Sequence, residues 1–406
     1  MLISIVIPAF NRARLLGQTL PALAAQQLEP GLDYEVIFVS NGSSDDTAKV
    51  LEAAMAQHPG VFRCFRIEPT GGPSAPRNRG IREARGEVVV ILDDDVRPDP
   101  DLVLRYAQFH AAHPQPHVAA VGEAYVPAQL MGDPMSLFHV FPYDAIRHHN
   151  PVSYLYFWTC NLSFKRQFML DHGMFDEAFL YNEDVICGHK LGQAGMELHF
   201  CPAARGEHLH QLKASGLAAK GIFTGRWIYA TVQALPVPEI IDRYGVLSPR
   251  LGWRRYAKRM LNRIAFRAID NPLTHALLRA LGSQRDQRSK VSDWHYTLLF
   301  RRHIVMGYHQ ARRAAQRSGA ARVDRGGLDR GEGCADARPA AWPATGCTAG
   351  VASIASRGAR LKALPAPTAA PWSHARAQPA WRAAPGPASR PGGAGRPRGR
   401  AASPAA

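Results

Sequence analysis

Five apolar residues, Val88-Val89-Val90-Ile91-Leu92, run straight into three carboxylates, Asp93-Asp94-Asp95. No other stretch constrains the chain as strongly. Four of the five are β-branched, and a continuous run of this kind is a strand buried on both faces, as in a parallel sheet flanked by helices. Charge begins where the strand must leave the core, and in open α/β sheets ligands bind at the carboxyl ends of the strands. Adjacent carboxylates repel one another, and a bound cation relieves the repulsion. Hard oxygen donors suit Mg²⁺ or Mn²⁺. The competing reading is an acidic turn that caps the next helix, since Pro98-Asp99-Pro100-Asp101 follows.

The residues before this junction alternate between two periods. Leu2 to Pro8, Asp33 to Val39 and Val61 to Ile67 read as strands. Arg14 to Gln27 reads as a helix, with Pro21 as a kink or restart point. A second helix ends near His58-Pro59-Gly60, and a third, Ile81 to Arg85, stops at Gly86. The order βαβαβαβ implies a parallel, nucleotide-binding sheet. The turn after the first strand is Ala9-Phe10-Asn11-Arg12 and not G-x-G-x-x-G, which argues against NAD.

Charge is unevenly spread. Residues 1–250 hold 21 Lys and Arg against 26 Asp and Glu, residues 251–320 hold 15 against 3, and residues 321–406 hold 13 against 4. The formal charge of +16 therefore belongs to the C-terminal third, and a nucleic-acid reading based on overall charge is weak. The six cysteines show no CxxC or zinc spacing and read as reduced thiols of a cytosolic protein. The first apolar run lacks a basic leader and stops at Pro8, so it reads as a strand and not a signal peptide. No window has the roughly 18 apolar residues of a membrane span.

Four ordered segments carry a resemblance: Val6-Ile7-Pro8-Ala9-Phe10-Asn11-Arg12, Val39-Ser40-Asn41-Gly42-Ser43-Ser44-Asp45, Gly72 to Gly80, and Leu92-Asp93-Asp94-Asp95. Asn161-Leu162-Ser163-Phe164, Gly173-Met174-Phe175-Asp176-Glu177 and Asn182-Glu183-Asp184-Val185 extend it to about residue 210. Together they resemble the motifs of family 2 glycosyltransferases. The resemblance implies an α/β GT-A fold, a mostly parallel nucleotide-binding sheet flanked by helices. It also implies an inverting hexosyl- or hexosaminyltransferase that uses a nucleotide-diphosphate sugar with Mg²⁺ or Mn²⁺. Ser40 stands where the family usually has Asp, which loosens the expected preference for uridine.

The resemblance also implies site roles. Pro8, Phe10 and Arg12 border the base, Ser40 and Asn41 lie near it, Asp93 lies near the ribose, and Asp94 belongs to the same donor site. Arg79, or Arg77, faces the donor. Asp95 is the metal-binding end of an Asp-x-Asp pattern that starts at Asp93, with His208 or His210 as a further ligand. Asp184 is the general base and Glu183 its neighbour toward a sugar; a helix start there favours an ionised carboxylate. Trp158 and Asn161 offer an acceptor surface, against the alternative that Trp158 is core.

Beyond a catalytic domain at 1–212, residues 213–318 read as a basic helical extension. Trp253 to Ile269 sets apolar residues at helical spacing among six Lys and Arg, which suits an anionic membrane surface or packing on the catalytic domain. Leu273 to Leu281 and Thr297 to Tyr308 extend it. Residues 319–406, rich in Ala, Pro, Arg and Gly, read as a disordered tail. The expected partners are the donor, a glycan or lipid-linked acceptor in cell-surface polysaccharide synthesis, and a cytoplasmic membrane face, with no nucleic acid. The alternative is a non-catalytic protein that binds sugar nucleotides, or membrane or nucleic acid through residues 251–320. Intact Asp93, Asp95 and Asp184 argue against a degenerate site.

Overall fold

The computed structural model describes residues 1–139, 141–209, 212–248, 252–282 and 289–325. The first half alternates as the periodicity requires: β1 (Leu2–Ala9), α1 (Ala13–Ala24), β2 (Asp33–Asn41), α2 (Thr47–Gln57), β3 (Phe62–Ile67), α3 (Ser74–Glu83) and β4 (Val88–Leu92). β3, β2, β1 and β4 lie side by side, all parallel. Every residue of β4 is fully buried, so both faces of the strand are covered. α1 runs through Pro21 without restarting and ends at Ala24, short of Gln27.

The second half makes the sheet mixed. It contains β5 (Val96–Pro98), α4 (Leu102–Ala112), β6 (Val118–Tyr125), β7 (Asn161–Lys165), α5 (Arg166–Asp171), α6 (Glu183–Gln193) and β8 (Glu197–His208). The full strand order is β3-β2-β1-β4-β7-β6-β8-β5. β7 runs antiparallel to both β4 and β6. The short β5 pairs antiparallel with β8 and sets Val96 opposite His208. That register brings the residue after the Asp triplet against the last residue of β8.

Among the described residues five α-helices follow: α7 (Leu217–Ala234), α8 (Pro238–Arg243), α9 (Trp253–Ile269), α10 (Pro272–Gly282) and α11 (Lys290–Arg325). α7 crosses α11 closely because glycine stands at the crossing. A Cβ at Gly225 would lie 2.0 Å from the Ile304 carbonyl oxygen. Val185 of α6 packs with Ile228, Val232, Ile240 and Ile241 of α7 and α8. Asn182 Nδ2 donates to Thr231 Oγ1 at 3.0 Å. α7 and α8 thus form the wall behind α6. The helix backbone continues past Gly319 to Arg325, so the first residues assigned to the tail are helical. The rest of the tail, 326–406, lies outside the described residues, as do Cys334 and Cys347. Cys64, Cys160, Cys187 and Cys201 are free thiols. Among the described residues no helix is long and apolar enough to cross a membrane.

Candidate active site

The carboxyl ends of β1, β2 and β4 open on the same edge of the sheet, and their loops hold one another. Asn11 takes a left-handed φ of 53°, which Asn tolerates better than most side chains. Its Oδ1 accepts the Ser44 amide at 2.8 Å, and its own amide donates to Ser43 Oγ at 3.1 Å. The Arg12 amide donates to Thr47 Oγ1 at 2.8 Å. Asn41 latches the glycine-rich loop: its Oδ1 accepts the Thr70 amide at 2.8 Å and its Nδ2 donates to the Gly72 carbonyl at 3.2 Å. Ser40 is buried and donates to Ser43 Oγ at 3.2 Å. Pro8 is half-buried at the end of β1. Phe10 next to it is 53% exposed, a free aromatic face at the mouth of these loops.

The three carboxylates diverge at the end of β4. Asp94 turns to β1: Arg12 Nε donates to its Oδ1 at 2.8 Å, and the Phe10 amide lies 3.4 Å from its Oδ2. Burial, with the neighbouring Asp95 charge, pushes the Asp94 carboxyl up to about 7 against the pull of Arg12. Asp95 turns to β8, where His208 Nε2 lies 3.3 Å from its Oδ1, and its carbonyl accepts the Leu209 amide at 2.8 Å. Asp93 is the most open of the three and turns to α3, where Arg77 Nη2 is 3.1 Å from its Oδ1. Burial raises its pKa, and Arg77 draws it back.

Arg77 is the hub. It is 4% exposed, and its Nη1 lies 2.5 Å from Glu183 Oε1 while Nη2 serves Asp93. Its guanidinium also lies over the Phe175 ring at 5.6 Å. One buried cation thus joins α3, α6 and the end of β4. Arg79, two residues on, pairs instead with Glu83 at 2.9 Å and lies over Phe65, nearly half exposed. Of the two arginines proposed to face the donor, the structure brings Arg77 into the acidic cluster and sends Arg79 to the β3 side.

α6 begins inside the site. Asn182 precedes it with a left-handed φ of 61°, and Glu183 and Asp184 occupy its first turn. Glu183 is buried and committed to Arg77. Asp184 is half-buried and accepts the Val185 amide at 2.7 Å. Its carboxyl is pushed up to about 7, first by burial and then by Glu183, against the Val185 amide, Arg243 and Arg77. Asp184 is therefore the carboxylate of the pair that is left to exchange a proton near neutral pH.

Among the described residues no three His, Cys, Asp or Glu side chains gather as a ready metal cage. Asp95 and His208 do meet, and Asp93 stands on the same strand end. An imidazole nitrogen and carboxylate oxygens fit Mn²⁺ or Mg²⁺ when substrate phosphate and water complete the shell. His210 lies outside the described residues.

Two expected acceptor residues are interior. Trp158 is 5% exposed, packed among Phe141, Tyr143 and Tyr156 with ring centroids 4.9–5.3 Å apart. Asn161 is fully buried; its Oδ1 accepts the Tyr106 hydroxyl at 2.8 Å and its Nδ2 donates to the Ala204 carbonyl at 3.0 Å. Both pack inside the sheet. The structure places both in the interior, where an aromatic next to a central strand is strongly drawn.

Lys220 of α7 has no motif to mark it. Its ammonium stands 4.8 Å over the Tyr181 ring, in the field of Glu183, Asp93 and Asp95, and crowding by protein lowers its pKa. Arg243 of α8 adds positive field at Asp184 and Tyr181. The helical extension thus supplies cations to an acidic site.

Arg77→Met leaves Glu183 buried without its countercharge and should cost about 3–5 kcal/mol of stability, the usual result of breaking a buried pair. Urea unfolding of the variant checks this. A midpoint equal to that of the parent protein would contradict the role given to Arg77.

Residues 4–168 match the model of Glycosyl transferase family 2. The poly(ribitol-phosphate) beta-glucosyltransferase of Bacillus spizizenii is 36% identical over 109 residues, 27% of this chain and 17% of that protein. The validoxylamine A glucosyltransferase of Streptomyces hygroscopicus subsp. limoneus is 27% identical over 250 residues, 53% of this chain and 54% of that protein. The solved mannosyltransferase PcManGT from Pyrobaculum calidifontis, in complex with GDP-Man and Mn²⁺, overlays with a TM-score of 0.49 at 18% identity, covering 75% of this chain and 86% of that one. The chain spans about half or less of the length of these two curated relatives. The segment that begins at β1 and contains the Asp triplet is thus the part of the chain that is similar to glycosyl transferase family 2.

Proposed function

We propose that the protein is an inverting glycosyltransferase that moves a hexosyl or hexosaminyl group from a nucleotide-diphosphate sugar to a hydroxyl of a glycan or lipid-linked acceptor. The observation that carries this reading is Asp184, a partly open carboxylate at the start of α6, fixed by the Glu183–Arg77–Asp93 chain beside the end of β4.

The nucleoside would lie across the ends of β1 and β2, with its base against exposed Phe10 and the Asn41-latched loop. Arg12, held by Asp94, fixes the floor of that pocket. Asp184 accepts the proton of the acceptor hydroxyl as its oxygen bonds to the anomeric carbon. The bond from that carbon to the diphosphate breaks with its electron pair on the leaving oxygen, and attack from the opposite face inverts the anomeric centre. Lys220, in the field of Glu183, Asp93 and Asp95, is the cation that would offset that growing negative charge. Asp95 and His208, with Asp93, are the residues that would hold Mg²⁺ or Mn²⁺. When bound, such a cation neutralises charge on the diphosphate. We place the reaction at the cytoplasmic face of the cell membrane, in the synthesis of a cell-surface polysaccharide.

Asp184→Asn keeps the size of the side chain but removes the base, and turnover should fall by about two to four orders of magnitude with donor binding retained. In the parent protein the base works ionised. kcat/KM should therefore rise with pH and level off above about 7, the value to which Asp184 is raised. A profile flat from pH 5 to pH 8, or a variant with parent turnover, would remove Asp184 from the reaction.

Metal dependence is read most simply from donor binding. Nucleoside diphosphate should raise the melting temperature more in the presence of Mn²⁺ than in EDTA, because a ligand selective for the folded state stabilises by mass action. Asp95→Ala should erase that difference. An equal shift in EDTA would contradict the assignment of Asp95 and His208.

A further inference from the structure

The apolar side of α9 does not lie on the catalytic body. Of fifteen large apolar side chains exposed among the described residues, eleven fall between Trp253 and Met306. α9 itself has no buried residue. Its roll is set by polar and aromatic contacts along one side. Arg259 Nη2 lies 2.6 Å from Asp242 Oδ1, and Arg301 of α11 lies over Phe266 at 4.7 Å. At the end of the helix, Asp270 takes His275 Nε2 at 2.8 Å and Arg302 at 3.8 Å.

With 3.6 residues per turn, those contacts leave a separate stripe of Trp253, Met260, Leu261 and Ile264 outside. These side chains are 38–76% exposed. On the same helical projection Arg254 and Lys258 flank one edge of the stripe and Arg267 the other, and all three are exposed. α10 repeats the pattern, with Leu273, Leu277 and Leu281 four residues apart and 57–79% exposed, while His275 faces inward.

An exposed apolar stripe with a basic border is unfavourable in water and fits one environment well. Its apolar side chains suit the acyl boundary of a bilayer, and its cations suit anionic headgroups. We propose that α9 and α10 form a monotopic docking face that seats the protein on an anionic lipid surface, with the α9 stripe inserted and Arg254, Lys258 and Arg267 at headgroup level. This proposal rests on the membrane location given above, but not on the transfer chemistry.

The test is sedimentation of the full-length protein with vesicles of phosphatidylcholine alone or mixed with phosphatidylglycerol, without donor or acceptor. The parent protein should pellet with mixed vesicles and not with neutral ones. Leu261→Glu together with Ile264→Glu should weaken that binding by at least about tenfold, because each change removes inserted area and adds repulsion. These side chains are exposed, so the melting temperature should not change. The basic tail is present in both proteins, so it cannot produce the difference. Equal binding by parent and variant would assign the attraction to charge elsewhere and overturn the proposal. Absence of binding to mixed vesicles at low salt would overturn it too. So would a lipid-free dimer that the variant abolishes, since a second copy would then cover the stripe. Vesicle binding with no sugar transfer from any donor would leave this proposal standing and remove the enzymatic one.

Discussion

The Arg77 guanidinium, buried between Glu183 and Asp93, is the contact on which the site depends. Removing a guanidinium and two carboxylates from water carries a large desolvation cost, which their attraction offsets only when all three stay in register. That register fixes three elements at once. α3 must bring Arg77 in, β4 must end at Asp93, and α6 must start at Glu183. Asp184 takes its position from the last of these. The packing of α7 and α8 behind α6 then has a clear purpose, since it prevents α6 from sliding away from the strand end.

The same arrangement explains how one strand end holds three adjacent carboxylates. Each faces a different group: Asp93 meets Arg77, Asp94 meets Arg12, and Asp95 meets His208. The compensation is incomplete. Asp94 and Asp184 are both raised to about 7, above their usual range. A raised carboxylate favours the folded state when protonated, and that contribution fades as pH climbs from the unfolded value toward about 7. The site therefore reduces the stability of the fold at the pH where these carboxylates are ionised.

Much of the first half was legible in the sequence because each element there has a strong local pattern. Continuous apolar runs marked β1, β2 and β4, and the Asp triplet marked the strand end. The later strands were not legible in the same way. β5 has three residues, and β6, β7 and β8 are joined by long connections, so their pairing rests on tertiary contacts. Arg77 and Arg79 are equivalent in composition, and only the helical phase of α3 tells the buried one from the exposed one. Trp158 and Asn161 lie in a stretch that suggests an acceptor wall, yet the core claims both. Lys220 had no local mark, because its importance comes from α7 packing over Tyr181. For α9 the sequence left two options, and the phase of its contacts with Asp242 and Arg301 decides that its apolar side faces outward.

The central claim is that Asp184 removes a proton from an incoming hydroxyl on the face opposite the departing diphosphate. The stereochemistry of the first product tests it most directly. Proton NMR of a single turnover, read at the anomeric centre before the product can equilibrate, should show a configuration opposite to that of the donor sugar. Retention of the donor configuration would require a different use of Glu183 and Asp184 and would contradict the account.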